Sequence, residues 1–248
     1  MWQLYDQLIA EIPDDIRVEV IVKTRHRILI SNGQTLGVAM HYPSNEVTPD
    51  LQTFVGQPLA EVAQLVKSWN FQLAAVGMAA INSFFNQFQR ADQFQVTGDK
   101  DVFQQLYKLP TKLKIATIGH FHCLKRYPDL PHDLHVFELN PLAGDYPAVA
   151  SEFLLPEMDV VFITGSTLVN KTLPRLLELS TNSQRILVGP SCPMSPLLFD
   201  HGVDQIAASL YELDLLKEIE PLDKSQLSLS KKGIPIILRK KEWKNETS

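Results

Sequence analysis

The stretch Asp159-Val-Val-Phe-Ile-Thr-Gly165-Ser-Thr-Leu-Val-Asn170 leaves few folds open. Val160 to Ile163 is continuously apolar between an acid and a Thr-Gly turn, which is how a strand buried on both faces of a parallel sheet reads. The small and hydroxyl residues Thr164, Gly165, Ser166 and Thr167 then precede an amphipathic run, Leu168 to Leu179, that predicts a helix. A strand, a tight polar turn and a helix start bring free backbone N–H groups to the carboxyl edge of a sheet. In open α/β sheets that edge is where ligands bind.

The same alternation of strand and helix patterns fills the second half of the chain, as βαβ units with a parallel sheet require. Lys114 to Gly119 is the first strand, His135 to Leu139 the second and Arg185 to Gly189 the fourth, with a further strand after Gly202. Pro147 to Leu155 reads as a short helix. Ile234 to Leu238 reads as a late edge strand, because Pro235 argues against a central position. Gly119 is not followed by Gly-X-X-Gly, so the dinucleotide fingerprint is missing.

The first half reads differently. A short helix over residues 1–12 leads into three β-type stretches, Arg17 to Val22, Arg27 to Ile30 and Leu36 to Met40, with Asn32-Gly33 marking a hairpin. Pro43 to Val55 is turn-rich. Leu59 to Val66 and Asn70 to Phe88 read as helices, the second lined by Ala74, Ala75, Gly77, Ala79 and Ala80. Such a small face means close packing of helix on sheet, or close approach to a ligand, with Asn82 projecting beside it. Composition turns polar from Ala91 to Lys114, with Val102 to Leu109 as a linking helix. The expected fold is therefore α/β: an N-terminal α+β domain over residues 1–92, then a Rossmann-like domain with a mainly parallel sheet over 93–248.

Composition limits the partners. The net charge of −5 gives no electrostatic case for nucleic acid, which requires a basic face. Only Lys231-Lys232 and Arg239-Lys240-Lys241 are locally basic, and they read as a solvated, poorly ordered end. No apolar run approaches the ~20 residues that span a bilayer, and the N-terminus lacks the pattern of a signal peptide. A cytoplasmic protein with no membrane association is expected, and a homodimer is compatible with it. Cys123 and Cys192 are too few for a disulfide framework.

Five segments converge on the carboxyl edge: Gly119-His120-Phe121-His122, Glu138-Leu139-Asn140, Gly165-Ser166-Thr167, Asn170, and Gly189-Pro190-Ser191-Cys192. His120, His122 and Cys123 invite a metal reading, since residues two apart in an extended segment face one side and imidazole with thiolate suits a transition metal. Cys192 or Glu138 would supply further ligands. The plainer alternative is a histidine capping a turn and a cysteine packed as a small hydrophobe. Glu138, at a strand end ~20 residues after Gly119, is placed to accept ribose hydroxyls, to pair with a lysine or to bind metal. Ser166, Thr167 and Thr172 are N-caps or a phosphate cradle. Asp145 and Asp159 read as turn and cap residues. No Gly-X-Ser-X-Gly elbow is present, and the residues name no reaction.

The ordered succession Ile118-Gly-His-Phe121, Phe137-Glu-Leu-Asn-Pro141, Gly144-Asp-Tyr-Pro147, Leu155-Pro156, Asp159 to Asn170, Thr172-Leu173 and Val188-Gly-Pro-Ser-Cys-Pro-Met-Ser-Pro196 resembles the heavy-metal chelation domain family over roughly residues 94–215. The stretch before it resembles the enolase N-terminal-like domain that accompanies that family. The resemblance implies a cleft between the two modules that binds a small ligand or metal ion. Matched position by position, it implies Gly119, His120, Glu138, Asn140, Thr164, Gly165, Thr167, Asn170, Gly189 and Pro190 as cleft residues. His122 stands where the family has proline, so the family does not vouch for it. Lys171 stands where glycine is usual, which would put a cation beside the turn and favour an anionic ligand. Two functions follow: a small-ligand or metal-binding protein using His120, Glu138 and Cys192, or an enzyme or sensor for an anionic or nucleotide-like cofactor at Gly165 to Asn170.

Overall fold

The computed structural model describes residues 2–42, 49–96, 101–109, 112–127, 129–219 and 232–240. Its first layer comprises helix α1 (Gln3–Ala10), the antiparallel strands β1 (Val20–Lys23), β2 (Arg27–Ser31) and β3 (Leu36–Met40), and helices α2 (Leu59–Ala63) and α3 (Phe71–Phe85). The β2–β3 turn holds together because Asn32 Oδ1 accepts from the Gln34 and Thr35 amides, both at 3.0 Å, while its Nδ2 donates to Ser83 O on α3.

Helix α3 starts where Asn70 Oδ1 caps the Gln72 and Leu73 amides. It is apolar all round, which a helix with one solvent face would not tolerate. The fold supplies the explanation, since α3 is covered by β2 and β3 on one side and by α2 and the later helix Ser166–Val169 on others. The small residues serve this packing: a Cβ on Gly77 would stand 2.0 Å from Val66 N, and one on Gly37 of β3 would stand 2.1 Å from Ala79 O.

The second layer is an eight-stranded sheet. It comprises β4 (Phe94–Val96), β5 (Lys114–Ile118), β6 (Asp133–Glu138), β7 (Tyr146–Pro147), β8 (Val160–Thr164), β9 (Gln184–Val188), β10 (Gln205–Leu210) and β11 (Ile234–Lys240). Short helices α4 (Ser151–Leu154), α5 (Ser166–Val169), α6 (Leu173–Leu179), α7 (Leu197–Asp200) and α8 (Leu215–Ile219) connect them. The order across the sheet is β4-β11-β10-β9-β8-β5-β6-β7, with β5 to β10 parallel and β11 antiparallel to both its neighbours, β10 and β4. Taken alone, the parallel strands follow the order of a doubly wound dinucleotide-binding sheet, which reverses between β5 and β8. One apolar cluster joins the layers, uniting Leu4, Ile28, Val76 and Ile81 with Val161, Ile163, Leu168 and Ile206. The other face of the sheet buries Ile115, Val160, Phe162, Ile186 and Ile237 under the 3-10 turn Val102–Lys108.

Three sequence expectations are corrected. The strand at Ile234 is not an edge strand; it lies between β10 and β4. Its proline is tolerated because β4 reaches only Leu238 to Lys240, leaving Pro235 without a ladder neighbour on that side. The basic residues there are not a loose end, since Lys240 pairs with Asp200 and Lys232 with Glu218; Lys231 and Lys241 lie outside the described residues. The helix expected from Leu168 to Leu179 is two helices, α5 and α6, broken where Lys171 takes φ 66°, the one positive φ among the described non-glycine residues. Among the described residues no helix is long and apolar enough to cross a membrane.

Candidate functional site

At the reversal point between β5 and β8 the sheet opens into a cavity of about 480 Å³. Ile118 and Gly119 from β5, Glu138 and Asn140 after β6, and Thr164, Ser166, Thr167 and Asn170 after β8 form its floor. Helix α6 adds Arg175, Leu176 and Leu179, and the segment leading into α4 adds Ala148 and Val149. Met40 and Tyr42 close it from the three-stranded layer. The wall is therefore mostly apolar with a few convergent polar groups, as small-molecule sites are.

Each polar group has a defined mooring. Gly119 turns the chain with φ 99°, which lets the following amide, that of His120, donate to Glu138 Oε1 at 2.8 Å. Glu138 Oε2 accepts from the Leu139 amide at 2.9 Å. The imidazole of His120 lies between two carboxylates, with Nε2 2.8 Å from Asp145 Oδ2 and Nδ1 3.6 Å from Glu138 Oε1. Asp145 is fixed in turn by the Leu142 amide at 2.7 Å. On the opposite wall, the Tyr42 hydroxyl donates to Ser166 O and accepts from Asn170 Nδ2 at 3.3 Å. Burial raises the pKa of this phenol.

The charges in the wall are largely spent. Arg175 makes a two-pronged pair with Glu152, at 2.7 Å from Nη2 and 3.1 Å from Nε, and reaches Glu178 at 3.0 Å. Lys171 does not face the cavity. Its amine donates to Ser68 O and Val169 O and sits over the rings of Phe71 and Trp69. The expected cation beside the turn is thus directed elsewhere, because the left-handed backbone swings the side chain toward the three-stranded layer.

Burial holds the Lys171 amine down to about 8. Between that value and 10.5 the native state carries fewer protons than the unfolded chain, so stability rises with pH across this window and the penalty is full below it. Wild type should therefore gain melting temperature relative to Lys171→Met as pH is raised from 8 toward 10. Parallel curves for the two proteins would remove this assignment.

Of the residues expected from sequence, Gly119, His120, Glu138, Asn140, Thr164, Ser166, Thr167 and Asn170 line the cavity. Gly165, Gly189, Pro190, Ser191, Cys192 and Asn82 are not in its wall. Gly165 is small for another reason: a Cβ there would stand 2.6 Å from Cys192 Sγ, so the close approach it permits is that of residue 192, not of a ligand. Residues 190–194 are bound to the first layer. Asn82 Nδ2 donates to Val38 O and Pro190 O, Asn86 bonds Cys192 O and the Met194 amide, and Ser191 Oγ accepts from the Met40 amide.

Cys192 is fully buried, and burial pushes its thiol pKa up. Cys123 is half-buried against the second face of the sheet, its thiol likewise pushed up. The His122 side chain lies outside the described residues. Among the described residues no three His, Cys, Asp or Glu side chains are grouped to hold a metal ion. The sequence reading missed Met40, Tyr42, Arg175 and the α6 leucines. None carries a local signal, because their place depends on how distant elements pack. Asp145 was legible only as a turn residue, which it is, in addition to its contact with His120.

A family model described as "Putative heavy-metal chelation" (DUF364) matches residues 101–215, and a second model with the same description (DUF4213) matches residues 5–85. An uncharacterized protein of Methanocaldococcus jannaschii is 32% identical over 219 residues, 82% of either chain. Among solved structures, a DUF364 protein of unknown function from Desulfitobacterium hafniense matches with TM-score 0.88 and 36% identity, covering 97% of this chain and 99% of that one. A DUF364 protein of unknown function from Pyrococcus horikoshii matches with TM-score 0.74 at 21% identity over 95% and 98%, a likeness of fold.

Proposed function

From the premise that the chain belongs to this heavy-metal chelation family, we propose that it binds a small organic molecule in the cavity between its two layers, at the carboxyl edge of the parallel sheet. The observation that carries this reading is the coincidence of the 480 Å³ cavity with the reversal of strand order. Sites in doubly wound sheets occupy that point, and the volume falls within the roughly 300–1,000 Å³ of small-molecule pockets. The apolar wall of Met40, Ile118, Phe137, Leu176 and Leu179 suits a flat or compact hydrophobic body, and Tyr42, Thr164, Thr167 and Asn170 suit its polar edge.

An anionic or nucleotide-like cofactor fits less well. Among the described residues the wall has no unspent cation: Arg175 is committed to Glu152 and Glu178, and Lys171 points away. The six residues after Tyr42, 43–48, contain one Glu and no Lys, Arg or His. The metal of the family description meets a limited donor set, with His120 and Glu138 together at the cavity and Cys192 apart from them.

Thermal shift against neutral and cationic heterocycles, beside nucleotides and inorganic phosphate, tests the reading. A ligand at 100 times its dissociation constant adds about 2.7 kcal/mol, or about 5–11 °C for a chain of this size. Ala148→Phe, which fills the cavity from the segment before α4, should lose the shift while melting near the wild-type temperature. A panel with no active compound, or an undiminished shift in Ala148→Phe, would count against the cavity.

A further inference from the structure

We infer that His120 Nδ1 and Glu138 Oε1 form a two-donor site for a divalent transition-metal ion, that Asp145 orients the imidazole, and that the molecule in the cavity supplies the remaining donors. The last part rests on the function proposed above; the first two do not.

Three observations converge. The two atoms are 3.6 Å apart. Ligands at about 2.1 Å from one tetrahedral ion are separated by roughly 3.4 Å, so the pair needs little adjustment to share a metal. Next, the second nitrogen of the ring lies 2.8 Å from Asp145 Oδ2. A ligating histidine donates its other N–H to a carboxylate in this way, which fixes the tautomer and strengthens the ligand. Here Asp145 is itself fixed by the Leu142 amide, and Glu138 by the amides of His120 and Leu139. Each oxygen of Glu138 thus keeps a lone pair for an ion while its orientation is set by backbone. Finally, the charge balance favours a cation, because Glu138 and Asp145 face His120 with no Lys or Arg paired to either among the described residues.

The donor set also limits the ion. One imidazole and one carboxylate at this tetrahedral spacing suit Zn2+, while Cu2+ and Ni2+ in square-planar geometry would draw the two donors in to roughly 3.0 Å; softer ions seek thiolates, and Cys192 is sealed beneath Gly165. Two protein donors leave coordination positions open, and with no third ligating residue among the described ones these fall to a chelating group bound in the cavity. Metal and organic ligand would then be held as one complex.

The test uses the untagged full chain with Cu2+–iminodiacetate, a small chelate with open positions, and with Cu2+ alone. Wild type should take up one equivalent of the chelate with a single imidazole nitrogen coupling in its electron paramagnetic resonance spectrum. His120→Ala should abolish that signal. Asp145→Asn should weaken uptake by roughly 10–100-fold and Glu138→Gln by at least about tenfold, with melting temperatures retained. No uptake by wild type, or equal uptake by wild type and His120→Ala, overturns the metal pair. Uptake of Cu2+ alone with rejection of the chelate overturns the shared complex. Copper uptake without any metal-free thermal shift counts against the cavity reading and leaves the donor pair standing; the reverse result does the opposite.

Discussion

Gly37→Ala is expected to lower the melting temperature by about 6–12 °C, corresponding to about 3 kcal/mol at the upper end of overpacking costs. Gly37 lies in β3 where the strand runs against α3, and an added methyl group would meet Ala79 O and Ser83 N at 2.1 Å each. Both are backbone atoms, so no rotamer change relieves the clash. The helix cannot retreat cheaply, because Asn82 and Asn86 tie it to residues 190–194 and Asn82 also holds Val38 O of β3. Gly56→Ala is the control: its φ is 83°, but a methyl group there meets nothing within 4 Å, so only backbone strain is added. If Gly37→Ala melts no lower than Gly56→Ala, close packing of β3 on α3 does not carry the weight assigned to it.

Asn86→Ala should cost about 2–6 kcal/mol, since it strands two buried groups at roughly 1–3 kcal/mol each. The Asn86 side chain is 5% exposed at the end of α3. Its Nδ2 donates to Cys192 O at 3.0 Å and its Oδ1 accepts from the Met194 amide at 2.8 Å. Removing the amide leaves the Cys192 carbonyl and the Met194 N–H without their side-chain partner. Two measurements check this: chemical denaturation for the total, and hydrogen exchange at Met194 for its location. A loss below about 1 kcal/mol, or an unchanged Met194 exchange rate, would mean that the loop holds itself.

The two predictions act on one junction, and it was only partly visible in the amino-acid sequence. The apolar run Val160 to Ile163 was legible as a buried strand because its pattern is local, and the structure has β8 there. The small face of α3 was legible as close packing, but its partners were not, since Gly37 and Val66 come from other elements. Pro235 misled because its cost depends on whether a neighbour needs its N–H, and β4 stops short of it. Lys171 misled because residue type gives charge but not direction; the turn at φ 66° sends the amine to Ser68 O. At the cavity, the strand-end residues Gly119, Glu138, Thr164 and Asn170 could be listed in advance, as every parallel strand ends at the same edge. Tyr42, Arg175 and the Asp145–His120 contact could not, because they arise from the packing of segments far apart along the chain.

The position of β11 has a consequence for how the chain is made. Its residues Leu238, Arg239 and Lys240 pair with Val96, Gln95 and Phe94, and its whole length pairs with β10. A ribosome delivers β4 long before β11, because the parallel strands β5 to β10 are made between them. Until Ile234 to Lys240 has emerged, β4 has no place in the sheet and β10 presents an open row of N–H and C=O groups from Gln205 to Leu210. An unpaired edge of that kind recruits strands from other chains. Chains stopped before Ile234 should therefore aggregate rather than fold with β10 as a stable edge.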